Sequence, residues 1–420
     1  VRKPLALAVY AGLARLLEPA AGAALRRRAA RGKEEAGRLA ERLGRAGVAR
    51  PDGTLIWLHG VSVGESVSLL PLVAALADRR PDASLLVTSG TTTAAAVLAR
   101  RLPPGVIHQY APIDTPGAAK RFLDHWRPAA GLFVESELWP NLILAAKARG
   151  VRLALISARM TERSAAGWAR AAGAARAVLG AFDLILPQDA ATEHRLRRLG
   201  GATGPRLSLK RVGAPLAADP GELARLRAAG GARPVVLAAS THPGEEALIA
   251  AAVQASGKDP LLVVAPRHPE RGPEVAAVLA QMGFVVARRA EGEALTPQVT
   301  AYVADTLGEL GLFFRLSDVT VMGGGFADGV GGHNPLEPAR LGCAIVTGPA
   351  VFNAAELYDE LFAEGAAIRA ADSAALARHI AGLIEHPTIA ARCGEAALAY
   401  AERQGRALDE AIPLIEALVA

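Results

Sequence analysis

From Thr54 onward the chain alternates short apolar runs with longer amphipathic ones, the rhythm of strand, helix and strand in a parallel sheet. Thr54–His59, Ser84–Thr88, Val106–Tyr110, Ala130–Val134, Leu153–Ser157 and Leu184–Pro187 are the expected strands, each nearly continuous in apolar residues, as strands covered on both faces must be. The alanine-rich stretch 164–179 predicts a helix, because alanine loses no side-chain entropy there. After Val212, Gly213, Pro215, Asp219, Pro220 and Gly221 cluster into a linker. The rhythm then restarts with Pro234–Ala239, Leu261–Ala265, Phe284–Ala287, Thr300–Val303, Val319–Met322 and Ala344–Thr347. The fold class is α/β, with two doubly wound domains facing a cleft, and ligands in such folds collect beyond the carboxyl ends of the strands. The expected boundaries are an N-terminal segment 1–50, a first domain 51–214, a second domain 221–405 and a closing helix 406–420.

The N-terminal segment has its own pattern. Leu5, Val9, Leu13, Leu16 and Leu17 fall on one helical face, and Arg26, Arg27, Arg28, Arg31 and Lys33 follow. The apolar run from Pro4 to Leu17 is shorter than the roughly 20 residues a spanning helix needs. Arg2 and Lys3 before it and Ala21-Gly22-Ala23 after it fit a signal peptide, but Arg15 and Glu18 interrupt that reading. An interfacial membrane anchor is the preferred expectation, with a domain-packing helix and a signal peptide behind it.

Charge sharpens this. The net formal charge of +6 is local: residues 1–50 hold 12 Lys/Arg against 4 Asp/Glu, and the remainder holds 35 against 37. Such asymmetry points to an anionic membrane surface as partner. Aromatics are 4% of the chain and are not interleaved with basic residues, so nucleic acid is not expected as a partner. Cys343 and Cys393 form no CxxC and have no histidine pair at ligand spacing, which fits a reduced, cytoplasmic setting without a metal.

Four blocks carry the candidate chemistry, each just after an expected strand. Trp57-Leu58-His59-Gly60-Val61-Ser62-Val63-Gly64-Glu65 puts small residues beside a ligand path and Glu65 near a helix start, where it serves as a general base or as a capping acid. In Glu135-Ser136-Glu137-Leu138-Trp139-Pro140-Asn141 at most one acid is expected to enter the cleft, and Ser136 or Glu137 is also suited to cap the following helix. Ser240-Thr241-His242-Pro243-Gly244-Glu245-Glu246 is either a phosphate cradle or a capping box. Arg267 and His268 follow the next strand, where an arginine fork grips phosphate or carboxylate. The glycine-rich stretch from Gly323 through Gly324 and Gly325 to Gly332 implies close backbone approach, and Asn334 and Glu337 beyond it are placed to hold ribose hydroxyls. Neither GxGxxG nor GxxxxGK[ST] occurs, so NAD and ATP are disfavoured as cofactors.

Together these blocks, with Asp305-Thr306-Leu307-Gly308-Glu309-Leu310, resemble the Kdo transferases of lipopolysaccharide assembly nearly end to end. The resemblance implies two Rossmann-like domains of the glycosyltransferase-B type. It implies transfer of Kdo from CMP-Kdo to a lipid A precursor with inversion, and since no His/Asp cluster or DxD-type acid pair follows a strand, no metal is expected. It places the enzyme on the cytoplasmic face of the inner membrane, peripheral or monotopic through its N-terminus. By the same resemblance Glu65 is the general base and Glu137 a second essential acid. Ser240, Thr241, Arg267, Gly308, Glu309, Asn334 and Glu337 are then expected to bind the donor, with Lys210, His268 and Gly324 as additional candidates. Two departures stand out: Arg211-Val212 follow Lys210 where the family has Phe-Asp, and Gly325 replaces a common serine in a loop one residue longer than usual. Two rivals are a glycosyltransferase-B enzyme using another nucleotide sugar and a non-catalytic lipid-binding protein.

Overall fold

The computed structural model describes residues 4–419, so Arg2 and Lys3 of the basic flank lie outside the described residues. The chain divides into two compact units, 1–213 with 404–420, and 214–403.

The first unit is built on strands β1 (Thr54–His59), β2 (Ala83–Ser89), β3 (Ile107–Tyr110), β4 (Ala130–Val134), β5 (Arg152–Ala158) and β6 (Leu184–Pro187). They pair in parallel in the order β3-β2-β1-β4-β5-β6. Alternation along each strand feeds two cores: Leu55 and Trp57 pack with Phe122, Trp126 and Phe133 on one face, while Ile56 and Leu58 pack with Leu132, Val134 and Ile156 on the other. Leu408, Ala411, Ile412 and Ile415 complete the second of these cores.

The second unit repeats the plan. Its strands are β7 (Val235–Thr241), β8 (Leu261–Pro266), β9 (Val286–Arg288), β10 (Ala301–Val303), β11 (Val319–Met322), β12 (Ile345–Thr347) and β13 (Ala367–Arg369). The sheet order is β13-β12-β11-β7-β8-β10-β9, again parallel throughout. Apart from the edge strand β9, this is the order of the first sheet, and both are the doubly wound Rossmann arrangement. Short β13 was not among the expected strands, because three residues flanked by alanine leave no apolar run to read.

The structure departs from several expectations. The closing helix does not begin at 406 but runs unbroken over Pro387–Glu416. Ala397, Tyr400 and Ala401 of this helix pack in a core of the second unit, and Leu408, Ala411, Ile412 and Ile415 in a core of the first. Residues 4–50 are not a separate segment. The Tyr10 hydroxyl donates to Asp114 at 2.9 Å, Arg121 pairs with Glu18 at 2.9 Å, and Glu41 accepts from the Tyr110 amide at 2.7 Å, so they join the first unit. The N-terminal helix spans Leu5–Ala29, 25 residues or about 37 Å, and is therefore long enough and apolar enough to cross a membrane, contrary to the shorter run expected. Glu18 does not interrupt it because its carboxylate turns onto Arg121 and the Gly117 amide. The alanine-rich stretch is two helices, Glu162–Ala169 and Ala172–Leu179; only the second buries a continuous face, through Ala174, Ala175, Val178 and Leu179, so packing overrides propensity.

Candidate active site

In each sheet the chain reverses direction of winding between two neighbouring strands, β1 beside β4 and β7 beside β11. Those are the switch points at which doubly wound sheets hold ligands. The four glycine- and acid-bearing blocks leave the sheets there, and the arginine loop leaves from the end of β8.

At the first switch point, His59 ends β1 and Ser62 caps the helix Val63–Arg79, accepting from the Glu65 amide at 3.3 Å. The Glu65 carboxylate returns to accept from the amides of Val61 at 2.6 Å and Ser62 at 3.3 Å and from the Ser62 hydroxyl at 2.9 Å. This is a complete capping box, worth about 1 kcal/mol, and it fixes the carboxylate beside the strand end. A side chain at Gly60 would bring its Cβ to 3.2 Å from that of Glu65, so the glycine lets the acid sit close. Glu65 remains half-buried.

Beyond β4 the two acids separate. Glu135 takes the left-handed conformation (φ 55°), is buried, and pairs with Lys210 at 2.7 Å. Lys210 is thereby tied to the turn after β4 while its side chain stays half exposed. Glu137 lies past the turn and receives the indole N–H of Trp139. Burial first, and then the charge of Glu65, push its carboxyl up to about 7, against the Trp139 hydrogen bond. His59 lies 4.0 Å from the Glu137 carboxylate. Burial, aided by the charge of Arg42, lowers the imidazole to about 3, so it is neutral. Neither Ser136 nor Glu137 caps the helix Pro140–Lys147. Its start is capped from afar by Asp114, which accepts from the amides of Asn141 at 3.2 Å and Leu142 at 2.8 Å.

At the second switch point Ser240 sits in a bulge at the end of β7 with φ 58°, a left-handed conformation rare outside glycine and characteristic of functional turns. Thr241 is fully buried, its hydroxyl donating to Glu246 at 2.9 Å, which leaves Ser240 the more accessible hydroxyl. The capping box expected here is absent: the N-cap of the helix Glu245–Ala255 is Gly244, without a side-chain bond. Buried Glu245 instead accepts from the amides of His242 at 3.0 Å, Gly324 at 2.7 Å and Phe326 at 2.9 Å, stitching the loop after β7 to the glycine-rich loop after β11. A Cβ on Gly325 would lie 2.6 Å from the Thr347 hydroxyl, so this chain's backbone has no room for the serine common in the family.

Above these loops His242 and His333 meet through their Nε2 atoms at 2.8 Å with rings parallel to within 8°, one nitrogen donating to the other. Burial pushes His333 down to about 4 and lowers His242 as well. Exposed Arg267 adds its positive charge to both histidines and to Glu337, whose carboxyl is raised by burial against the pull of Arg340 and Arg267. Asn334 is exposed and caps the one-turn helix Leu336–Ala339 through the Leu336 amide at 3.1 Å. His268 stands 6.4 Å from the His242 ring and is largely exposed. Ser240, Arg267, His268, Gly324, Asn334 and Glu337 thus gather about one switch point. Gly308 turns the chain with φ 84°, and Glu309 is engaged by Arg289 at 2.7 Å and by the Thr306 hydroxyl, an ion pair that holds its carboxyl low. Among the described residues no cluster of three or more His, Cys, Asp or Glu is placed to hold a metal ion.

Asp114, Glu245 and His59 were not assigned roles from sequence. Their partners lie far along the chain, and only the quoted blocks around His59 and Glu245 offered a signal.

The same fold occurs in a glycosyltransferase of Rickettsia africae (TM-score 0.59, 11% identity, covering 88% of this chain and 99% of that one) and in MurG of Acinetobacter baumannii (TM-score 0.55, 12% identity, 87% and 99%). The fold is therefore the two-domain glycosyltransferase-B type. Residues 37–209 match the family described as 3-deoxy-D-manno-octulosonic-acid transferase (kdotransferase). The chain is 37% identical over 343 residues to a probable mitochondrial 3-deoxy-D-manno-octulosonic acid transferase of Arabidopsis thaliana, covering 77% of this chain and 75% of the relative. It is 33% identical over 389 residues to the 3-deoxy-D-manno-octulosonic acid transferase of Bordetella pertussis, covering 89% and 90%. The chain belongs to the 3-deoxy-D-manno-octulosonic acid (Kdo) transferase family and is a glycosyltransferase.

Proposed function

We propose that this Kdo transferase uses CMP-Kdo as donor and a lipid A precursor as acceptor, inverts the anomeric centre, and needs no metal. The observation that carries the reading is the pair of acids at the first switch point: Glu65 fixed by its capping donors, and Glu137 raised to about 7 beside it. Glu65 removes the proton from the acceptor hydroxyl as that oxygen attacks the anomeric carbon. Glu137 in its ionised form accepts a hydrogen bond from a sugar hydroxyl and positions it. The departing CMP phosphate is stabilised on the second unit by Arg267 and by backbone N–H groups at the glycine-rich loop, in place of a cation. Asn334 and Glu337 hold the ribose, with Ser240, Thr241, His268 and Gly324 around the donor. Gly308 and Glu309 contribute by shaping the chain near it.

The acceptor is a lipid, and the exposed face of Leu5, Val9, Leu13, Leu16 and Leu17 supports membrane attachment, flanked by Arg26, Arg27 and Arg28 that suit an anionic surface. On this reading the protein works at the cytoplasmic face of the inner membrane. Calorimetry with CMP and with UDP tests the donor assignment. CMP binding with UDP at least about tenfold weaker supports it; preference for UDP assigns the chain another nucleotide sugar.

A further inference from the structure

His59 is buried and neutral, yet it has no part in the chemistry above. Its ring is walled by Phe133, at 5.1 Å between centroids, and by Trp139, at 6.5 Å. Its Nδ1 lies 2.9 Å from the Thr88 hydroxyl oxygen, which already accepts the Trp57 indole N–H at 2.8 Å. The Thr88 hydroxyl can donate to His59 Nδ1 at 2.9 Å or to the Leu58 carbonyl at 3.3 Å; because the other ring nitrogen faces the Glu137 carboxylate, an acceptor when ionised, the arrangement that suits both neighbours has Thr88 donating to Nδ1. With Nδ1 accepting, the neutral ring carries its hydrogen on Nε2.

That Nε2 is buried and without a hydrogen-bond partner, and 4.0 Å away is Glu137 Oε2, the oxygen that receives the Trp139 indole. A buried N–H without an acceptor is costly, so a small closing motion onto the carboxylate is favoured. The other charged groups around Glu137 are Glu65 from the helix after β1 and Glu135 from the turn after β4, the latter neutralised by Lys210. Arg42 acts on the imidazole and keeps it neutral. His59 therefore offers a dipole and not an exchangeable charge.

We infer that His59 is a positioning residue, fixed in the Nε2–H tautomer by Thr88, that serves as the second N–H donor holding the Glu137 carboxylate toward substrate. The inference rests on the assignment of Glu137 to the reaction. An N–H donor stabilises the ionised carboxylate, so removing it moves the titration of Glu137 to higher pH.

The test is the pH-rate profile of transfer by the full chain, with melting temperature and CMP affinity measured alongside, for wild type, His59→Asn, His59→Gln and Glu137→Gln. Asparagine keeps a polar group near the Nδ1 place but does not reach Glu137; glutamine carries an amide N–H to the Nε2 place. His59→Asn is expected to lower the rate at pH 7 at least about tenfold and to move the limb near pH 7 upward by about one unit. His59→Gln is expected to restore the wild-type limb and most of the rate. A limb unmoved in folded His59→Asn overturns the inference. If that variant has no cooperative melt, Thr88→Val decides: it leaves His59 in place but removes the proton that sets the tautomer, and an unmoved limb there overturns the inference equally. Wild-type turnover and an intact limb in Glu137→Gln would instead defeat the proposed role of Glu137 itself.

Discussion

The two units share a strand order and present their loops at equivalent switch points, yet the loops are opposite in chemistry. After β1 and β4 stand Glu65, Glu135 and Glu137 around a buried neutral histidine; after β7 the acids Glu245 and Glu246 are buried in the loop scaffold, and what is exposed is Asn334 after β11 with Arg267 and His268 after β8. The difference lies in where the carboxylates go. In the first unit the capping acid returns to its own helix start and stays half-exposed. In the second it crosses to the neighbouring loop and fixes the amides of Gly324 and Phe326. One scaffold thereby carries half-exposed acids in one copy and buried, loop-bound acids in the other, the division on which the proposed acid-base and anion-receiving roles rest.

That division can be broken in order of effect. Glu65→Gln, which keeps size and hydrogen bonding but removes basicity, is expected to lower turnover at least about a hundredfold with melting temperature and CMP affinity near wild type. If Glu65 only caps, the same variant shows a small fall in melting temperature and keeps its turnover. The raised carboxyl of Glu137 is protonated below about pH 7 and ionised above. With the ionised form as the working one in the proposed mechanism, the rate should rise with pH through that value, and Glu137→Gln should flatten the rise. On the exposed face of the N-terminal helix, Leu13→Glu with Leu16→Glu is expected to reduce partition into anionic vesicles at least about tenfold while CMP affinity stays unchanged. Equal partition by the double variant would leave the helix without a membrane role. Glu337→Ala is expected to raise the CMP dissociation constant about tenfold by removing charge-assisted ribose bonds, and unchanged calorimetry would remove Glu337 from the site. Chelation should change nothing: loss of transfer in EDTA that Mg²⁺ restores would contradict a metal-free leaving-group site.

Much of the fold was legible because parallel strands buried on both faces are written as unbroken apolar runs; β1, β4, β6 and β11 fall where those runs do. The apolar run ends at Leu17 in the sequence but the helix continues to Ala29, and Glu18 within it pairs with Arg121 about a hundred positions away, which local pattern does not show. The candidate site was legible in its blocks and not in its wiring. Ser62 and Glu65 are three apart, so their capping box is a local pattern. Asp114 capping the helix at Pro140, Glu245 holding the glycine loop and Thr88 orienting His59 all join distant segments, and spacing carries no trace of such pairs until the sheet brings strand ends together.

The central claim is that this chain moves Kdo from CMP-Kdo to a lipid A precursor, and the mass of the product tests it most directly. Purified protein incubated in EDTA with CMP-Kdo and a lipid A precursor should convert the lipid to a species heavier by one or more Kdo residues, with CMP released in equal amount. Unmodified lipid beside intact CMP-Kdo, from protein that is folded and binds CMP, would contradict the account.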